Sequence, residues 1–80
     1  MEAYILLETQ PGFPEEKAQQ LADIGGVMSC NFVTGPYDII VKVSAADVVK
    51  LGDLVVAKIQ SVKGVLRTTT CIATSRDLVK

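Results

Sequence analysis

Thr34-Gly35-Pro36-Tyr37-Asp38-Ile39-Ile40-Val41-Lys42-Val43 is the stretch that decides the fold. Gly35-Pro36 breaks the chain, and the aromatic and β-branched residues after it predict a strand over 37–43. Side chains alternate along a strand, so Ile39, Val41 and Val43 share one face and Ile40 and Lys42 the other. Upstream, Val27 to Thr34 alternates well enough to form a partner strand, and the Gly-Pro turn joins the two as a hairpin.

Beyond the hairpin, Ser44-Ala45-Ala46-Asp47 reads as a capping-box-like start. Val48, Leu51, Gly52, Val55, Ile59 and Val62 then fall on one stripe, predicting a helix over 45–61. Its valines weaken helix propensity, but the stripe and the cap outweigh them. Lys63-Gly64 ends it, and Val65 to Thr74 predicts another strand before a polar tail, Ser75 to Lys80. On the N-terminal side, residues 3–9 form a strand that stops at Gln10-Pro11-Gly12. Pro14 sits at a first helical position, Glu15 and Glu16 lie at the positive end of the helix dipole, and Ala18, Leu21 and Ala22 mark a helix over 14–24. Gly25-Gly26 closes it.

The order is therefore βαββαβ. Ile24-Gly25-Gly26-Val27 and Val62-Lys63-Gly64-Val65 close a helix and open a strand at equivalent places, a weak internal duplication. Two βαβ units with right-handed crossovers interleave most simply as an α+β, ferredoxin-like sandwich. That gives a four-stranded antiparallel sheet in the order 4-1-3-2 with two helices on one face. Ala3, Ile5 and Leu7 then turn toward the helices, and Tyr4, Leu6 and Ile40 away, joined by members of Met28, Cys30 and Phe32. An apolar patch on the helix-free face predicts dimerisation through the sheet, with Tyr4, Leu6 and Ile40 in the interface.

Size supports the same expectation. Eighty residues make one domain, 1–80. A chain this short buries about 60–65% of its unfolded surface, so a monomer is marginal and association helps. Apolar residues at 49% and charged residues at 21% fit a globular chain. Eight scattered Lys/Arg against nine Asp/Glu argue against direct nucleic-acid or anionic-membrane binding, which needs a concentrated basic face. The N-terminal Met1-Glu2-Ala3-Tyr4 lacks the basic start of a signal peptide and no run approaches a membrane span, so a cytoplasmic location is expected. The chain contains no histidine, hence neither the usual general base nor the commonest metal ligand, and the sequence predicts no enzyme, no metal and no cofactor.

Cys30 and Cys71 fall on opposite edge strands in the 4-1-3-2 order, about 14 Å apart and beyond the reach of a disulfide. They read as small buried hydrophobes. The sharpest local feature is the turn at 34–38, which delivers an aromatic ring and a carboxylate together. Asp38 can receive an ammonium group while turn N–H groups receive a carboxylate, the two ends of a free amino acid; equally, Tyr37 packs and Asp38 caps a loose N–H. The residues alone leave both readings open. Thr68-Thr69-Thr70 has the composition of an ordinary strand on an edge that a ligand or subunit can reach. The loop at Gln10 to Phe13 is a poor anion site, since Pro14 removes a donor and two glutamates follow.

The βαββαβ order, the Thr-Gly-x-Tyr-Asp turn at 34–38, the helix-closing Val62-Lys63-Gly64-Val65 and the Thr68-Thr69-Thr70 run together resemble the effector-binding RAM domain of the Lrp/AsnC regulators over residues 2–74. The resemblance implies sheet-to-sheet dimers that assemble further, often to octamers, with a free amino acid bound between dimers. Carried over by position, Gly35, Tyr37 and Asp38 of the turn and Thr70, Cys71, Ile72 and Ala73 of the last strand line that site, with Val48 near it. Full regulators carry an N-terminal helix-turn-helix that this sequence lacks, so the expectation is a stand-alone module reaching DNA only by hetero-assembly with a full-length regulator. Two rivals share the fold. An ACT-like domain finds an echo in Pro11-Gly12, and a dimeric α+β-barrel enzyme of the small monooxygenase kind is left, without histidine, with only Asp38, Tyr4 or Tyr37 as poor catalytic candidates.

Overall fold

Ala3, Ile5 and Leu7 alternate with Tyr4, Leu6 and Glu8 along strand β1 (Glu2–Thr9), and the first three have no exposed surface. The structure is a computed structural model that describes residues 1–75 and Leu78. β1 pairs antiparallel with β3 (Ile39–Ser44) from Glu2 opposite Ser44 to Leu7 opposite Ile39. Ala3, Ile5 and Leu7 thus stand beside Val43, Val41 and Ile39, which are equally buried. On its other side β1 pairs with β4 (Val65–Ile72), and β3 pairs outward with β2 (Val27–Phe32), giving the sheet order β2-β3-β1-β4. This is the ferredoxin-like arrangement that the sequence predicts.

Both helices cover the same face. Ala18 and Leu21 of α1 (Glu15–Ala22) and Leu51 of α2 (Val48–Asp53) join the buried strand residues in one core, with Val55 and Ile59 from the segment after α2. α1 is shorter than the 14–24 expected, and Pro14 stands one place earlier, at the N-cap, with extended backbone (φ −78°, ψ 153°). It offers no side-chain cap, which leaves Glu15 and Glu16 to complement the dipole.

The second helix departs further from its expected 45–61. Ser44 ends β3 instead of opening a helix, and Asp47 is itself the N-cap, its carboxylate accepting from the Lys50 N–H at 2.8 Å. From Leu54 to Ile59 the coil widens to a π-helix, carried by a Gln60 N–H to Val55 carbonyl bond of 2.8 Å. The buried residues Leu51, Val55 and Ile59 recur every four positions. A strict four-residue repeat overshoots the 3.6-residue α turn and undershoots the wider π turn, so a mixed helix keeps all three on the core.

Strands two and three are also shorter than expected. Residues 33–38 form the connection, with the Val33 N–H donating to the Asp38 carbonyl at 3.0 Å, so Tyr37 and Asp38 precede β3. The expected last strand, 65–74, stops at Ile72, and of the expected polar tail, 75–80, residues 76, 77, 79 and 80 lie outside the described residues. Register brings one more correction. Val27 stands opposite Val43 but Ser29 opposite Lys42, so Met28 is an extra residue, a bulge. One inserted residue exchanges the faces of everything after it. Cys30 and Phe32, expected on the helix-free side, therefore align with Val41 and Ile39 on the helix side, and Ser29 and Asn31 take the open face.

The weak duplication has a structural counterpart. Gly26 (φ 95°) and Gly64 (φ 101°) both follow a helix, their carbonyls accept from Ser44 and Gln10 respectively, and each is followed two residues later by an irregularity at Met28 and Leu66. A Cβ on Gly26 would lie 3.0 Å from the Ser44 carbonyl in a backbone conformation that L side chains avoid. Gly26→Ala is expected to lower stability by about 1–3 kcal/mol in urea unfolding, whereas Gly25→Ala, with open space around it, stays within about 0.5 kcal/mol of the parent.

Candidate functional site

Three of the residues singled out by sequence gather in one place. Val48 from α2 and Thr70 and Ile72 from β4 line a groove of about 330 Å³, completed by Leu51, Gly52, Val55 and Val56. β4 supplies Thr70 and Ile72 because they stand opposite Ile5 and Ala3, on the helix side of the sheet. Leu51 and Val55 form its buried wall, while Val48 and Val56 are more than half exposed. Val56 and Gly52 were not among the sequence candidates. Gly52 sits within α2, where glycine costs about 1 kcal/mol relative to alanine, and that cost was the available signal. Val56 stands four residues after Gly52 and eight after Val48, on the same side of the segment.

The remaining candidates lie elsewhere. Cys71 stands opposite Tyr4, on the helix-free face, and Ala73 follows β4 with its N–H donating to the Glu2 carbonyl at 2.9 Å. Gly35, Tyr37 and Asp38 belong to the 33–38 connection near the C-terminal end of β1. The Asp38 N–H donates to the Leu7 carbonyl (2.8 Å), and its carboxylate accepts from the Thr9 N–H (2.8 Å) and the Thr9 hydroxyl (3.4 Å). Asp38 therefore caps the end of β1 within its own chain. Ile72 stands opposite Ala3 and the Asp38 N–H meets the Leu7 carbonyl, four steps apart along β1, about 13 Å.

A second groove, of about 430 Å³, lies at the start of β4 among Gln60, Val65, Leu66, Arg67 and Thr68, where the Gln60 amide donates to the Thr68 hydroxyl at 2.8 Å. On the helix-free face, Tyr4, Leu6 and Ile40 sit side by side across β1 and β3, with Thr69 beside Leu6. Leu6 and Ile40 are half-buried and Tyr4 is 39% exposed. Charges frame this patch: the Lys42 ammonium lies 3.6 Å from Glu2 and 5.7 Å from the Tyr4 ring centre, and Arg67 lies 3.8 Å from Glu8. These exposed pairs add little stability but keep the rim polar.

Both cysteines are free. Cys30 points under α1, its thiol donating weakly to the Ala18 carbonyl at 3.8 Å, and burial pushes its pKa up, which keeps it an unreactive thiol. Cys71, expected to be buried, is exposed. Among the described residues no three His, Cys, Asp or Glu side chains cluster as metal ligands, and no helix is long and apolar enough to cross a membrane.

Comparison with known proteins gives a consistent assignment. The family model for the Lrp/AsnC ligand binding domain matches residues 2–77. An uncharacterized HTH-type transcriptional regulator of Pyrococcus furiosus is 35% identical over 74 residues, 89% of this chain and 49% of that protein. The chain thus spans about half the length of the curated relatives it matches. A protein of Thermus thermophilus of known crystal structure is 31% identical, with a TM-score of 0.89 over 98% of each chain. A transcriptional regulator of Neisseria meningitidis, solved as its L-Met complex, shares the fold at 17% identity, with a TM-score of 0.71 over 95% of this chain and 52% of that one.

Two outcomes follow from the geometry of the site. Asp38→Ala is expected to cost about 1 kcal/mol in urea unfolding and Asp38→Asn less, since the amide oxygen still accepts from Thr9. Under native conditions a thiol reagent is expected to label Cys71 well ahead of Cys30.

Proposed function

This chain belongs to the Lrp/AsnC ligand-binding-domain family, and we propose on that footing that it is an amino-acid-sensing, oligomer-forming regulatory module. The observation that carries the proposal is the groove between α2 and β4, which brings Val48, Thr70 and Ile72 together in a domain whose family is defined by ligand binding. The L-Met complex of the neisserial regulator supplies the ligand chemistry, a free amino acid, on the same fold.

The proposed effector site joins two subunits. Asp38 of one chain lies about 13 Å of strand from Ile72, farther than the backbone of one free amino acid reaches, and its carboxylate is turned to Thr9, away from the groove. Asp38, Gly35 and Tyr37 of one subunit would meet the ligand's charged ends while Val48, Thr70 and Ile72 of another enclose the rest. Occupancy then favours the assembled state by mass action, giving the sensor an output without catalysis.

Within the assembly, the helix-free face is the proposed dimer interface. Tyr4, Leu6 and Ile40 form its apolar centre and the Glu2–Lys42 and Glu8–Arg67 pairs its rim, the usual anatomy of a protein interface. Dimers assembling further, as octamers, bring the ligand sites together. Contact with DNA comes through hetero-assembly with a helix-turn-helix regulator of the kind its relatives represent. As such a module it works in the cytoplasm.

Light scattering after size exclusion, with and without each of the twenty amino acids and paired with thermal shifts, tests the proposal. A change of mass or melting temperature with a few of them is expected; indifference to all twenty overturns the sensing role. Asp38→Ala is expected to weaken that binding at least tenfold in calorimetry while the dimer stays folded, and an unchanged affinity removes Asp38 from the site. Leu6→Lys is expected to dissociate the dimer and to speed Cys71 labelling, because it puts a charge in an apolar interface. A variant that stays dimeric in sedimentation overturns the assignment of this face.

A further inference from the structure

Leu51, Val55 and Ile59 set two demands on one segment that a regular helix does not meet together. All three are buried on the core, four residues apart. An α-helix turns once in 3.6 residues, so each step of four carries the side chain about 40° past a full turn, and Ile59 would stand about 80° round from Leu51. The π turn at Leu54–Ile59 removes that error by winding more residues into the turn, in a hydrogen-bonding pattern that helices rarely adopt. The core therefore favours the π form and the backbone favours the α form. Neither preference is steep, since Val55 and Val56 weaken the pull toward α and Gly52 loosens the helix just before them.

Gln60 decides between the two forms. Its backbone N–H closes the π turn on the Val55 carbonyl at 2.8 Å, and its side-chain amide donates to the Thr68 hydroxyl of β4, also at 2.8 Å. In an α form the Gln60 N–H would pass to the Val56 carbonyl, one residue nearer. Its side chain, carried round with Ile59, would leave Thr68. The bond to β4 therefore belongs to the π form alone.

We propose that residues 54–60 are a two-position element, exchanging between the π form and a less populated α form, with the Gln60–Thr68 bond as its latch. An α form keeps Leu51 and Ile59 on the core only by turning about its own axis. Val48, Gly52 and Val56, on one side of the segment, turn with it relative to β4. The wall of the groove and the start of β4 are thereby linked through Gln60, and whatever binds one position better than the other shifts the balance. The exchange is a property of the chain alone and does not depend on the amino-acid-sensing reading.

Helix register shifts fall in the microsecond-to-millisecond range, which amide relaxation dispersion on the isotope-labelled whole chain reads. In the parent, exchange is expected at the amides of 54–62 and at Thr68, with α1 and β2 flat. Gln60→Ala and Thr68→Val each remove the latch and are expected to raise the minor population about fivefold, the effect of one neutral hydrogen bond. Deletion of the exposed Ala57 brings Ile59 to the seventh place after Leu51, where an unbroken α-helix buries both. Exchange is then expected to vanish and the melting temperature to hold or rise. Exchange seen in the two latch variants but not in the parent also supports the proposal, because the latch then holds the parent's minor form below detection. Latch variants that match the parent, flat or not, overturn it, as does exchange that survives deletion of Ala57 or a deletion variant that melts below the parent.

Discussion

The register between β1 and β3 is the constraint on which the rest of this structure depends. With Leu7 opposite Ile39 and Ala3 opposite Val43, six apolar side chains of the two central strands lie on one side of the sheet and are fully buried. A slip of one residue would exchange them for Tyr4, Leu6, Glu8, Ile40 and Lys42, and the helices would lose their seat. Those central strands also hold the two edge strands, so the positions of Thr70 and Ile72, and with them the groove, are set by the same alignment.

The edges are where the fold departs from regularity. Both follow a helix-closing glycine at positive φ, and both carry an irregularity one residue into the strand, at Met28 and Leu66. A bulge twists an edge and interrupts its row of free backbone groups, which discourages open-ended strand pairing. For a protein whose proposed partners dock on the sheet face and across the groove, blunt edges steer association toward those surfaces. Each half of the chain repeats the device.

The α2 segment shows how a local distortion serves two surfaces. Its π-helical turn holds Val55 and Ile59 on the core, and Val56, four residues after Gly52, lines the groove. Valine-rich composition lowers the cost of leaving the α-helix there, because β-branched side chains already disfavour it. π turns recur at functional sites, and here the turn forms one wall of the candidate ligand groove.

Much of this was legible in the chain. Period-two alternation through Ala3 to Leu7 and Ile39 to Val43, the 3.6-residue stripe, and Gly-Pro and Gly-Gly punctuation determined by themselves the βαββαβ order, the buried face and the family resemblance, because these signals are local and repeat. The tertiary structure alone decided the rest. A single-residue bulge at Met28 moved Cys30 and Phe32 to the other face, which no alternation pattern reveals. The Asp47 cap and the π turn displaced the second helix, since a hydrogen bond from Lys50 and a four-residue burial repeat prevailed over the apparent Ser44 cap. Asp38 found its partner in Thr9, 29 residues away, and Gly52 lines a groove only because the fold sets it beside Thr70 and Ile72. Spacing along a chain fixes which residues share a face; which faces meet, and what space is left between them, depends on contacts between residues far apart in sequence.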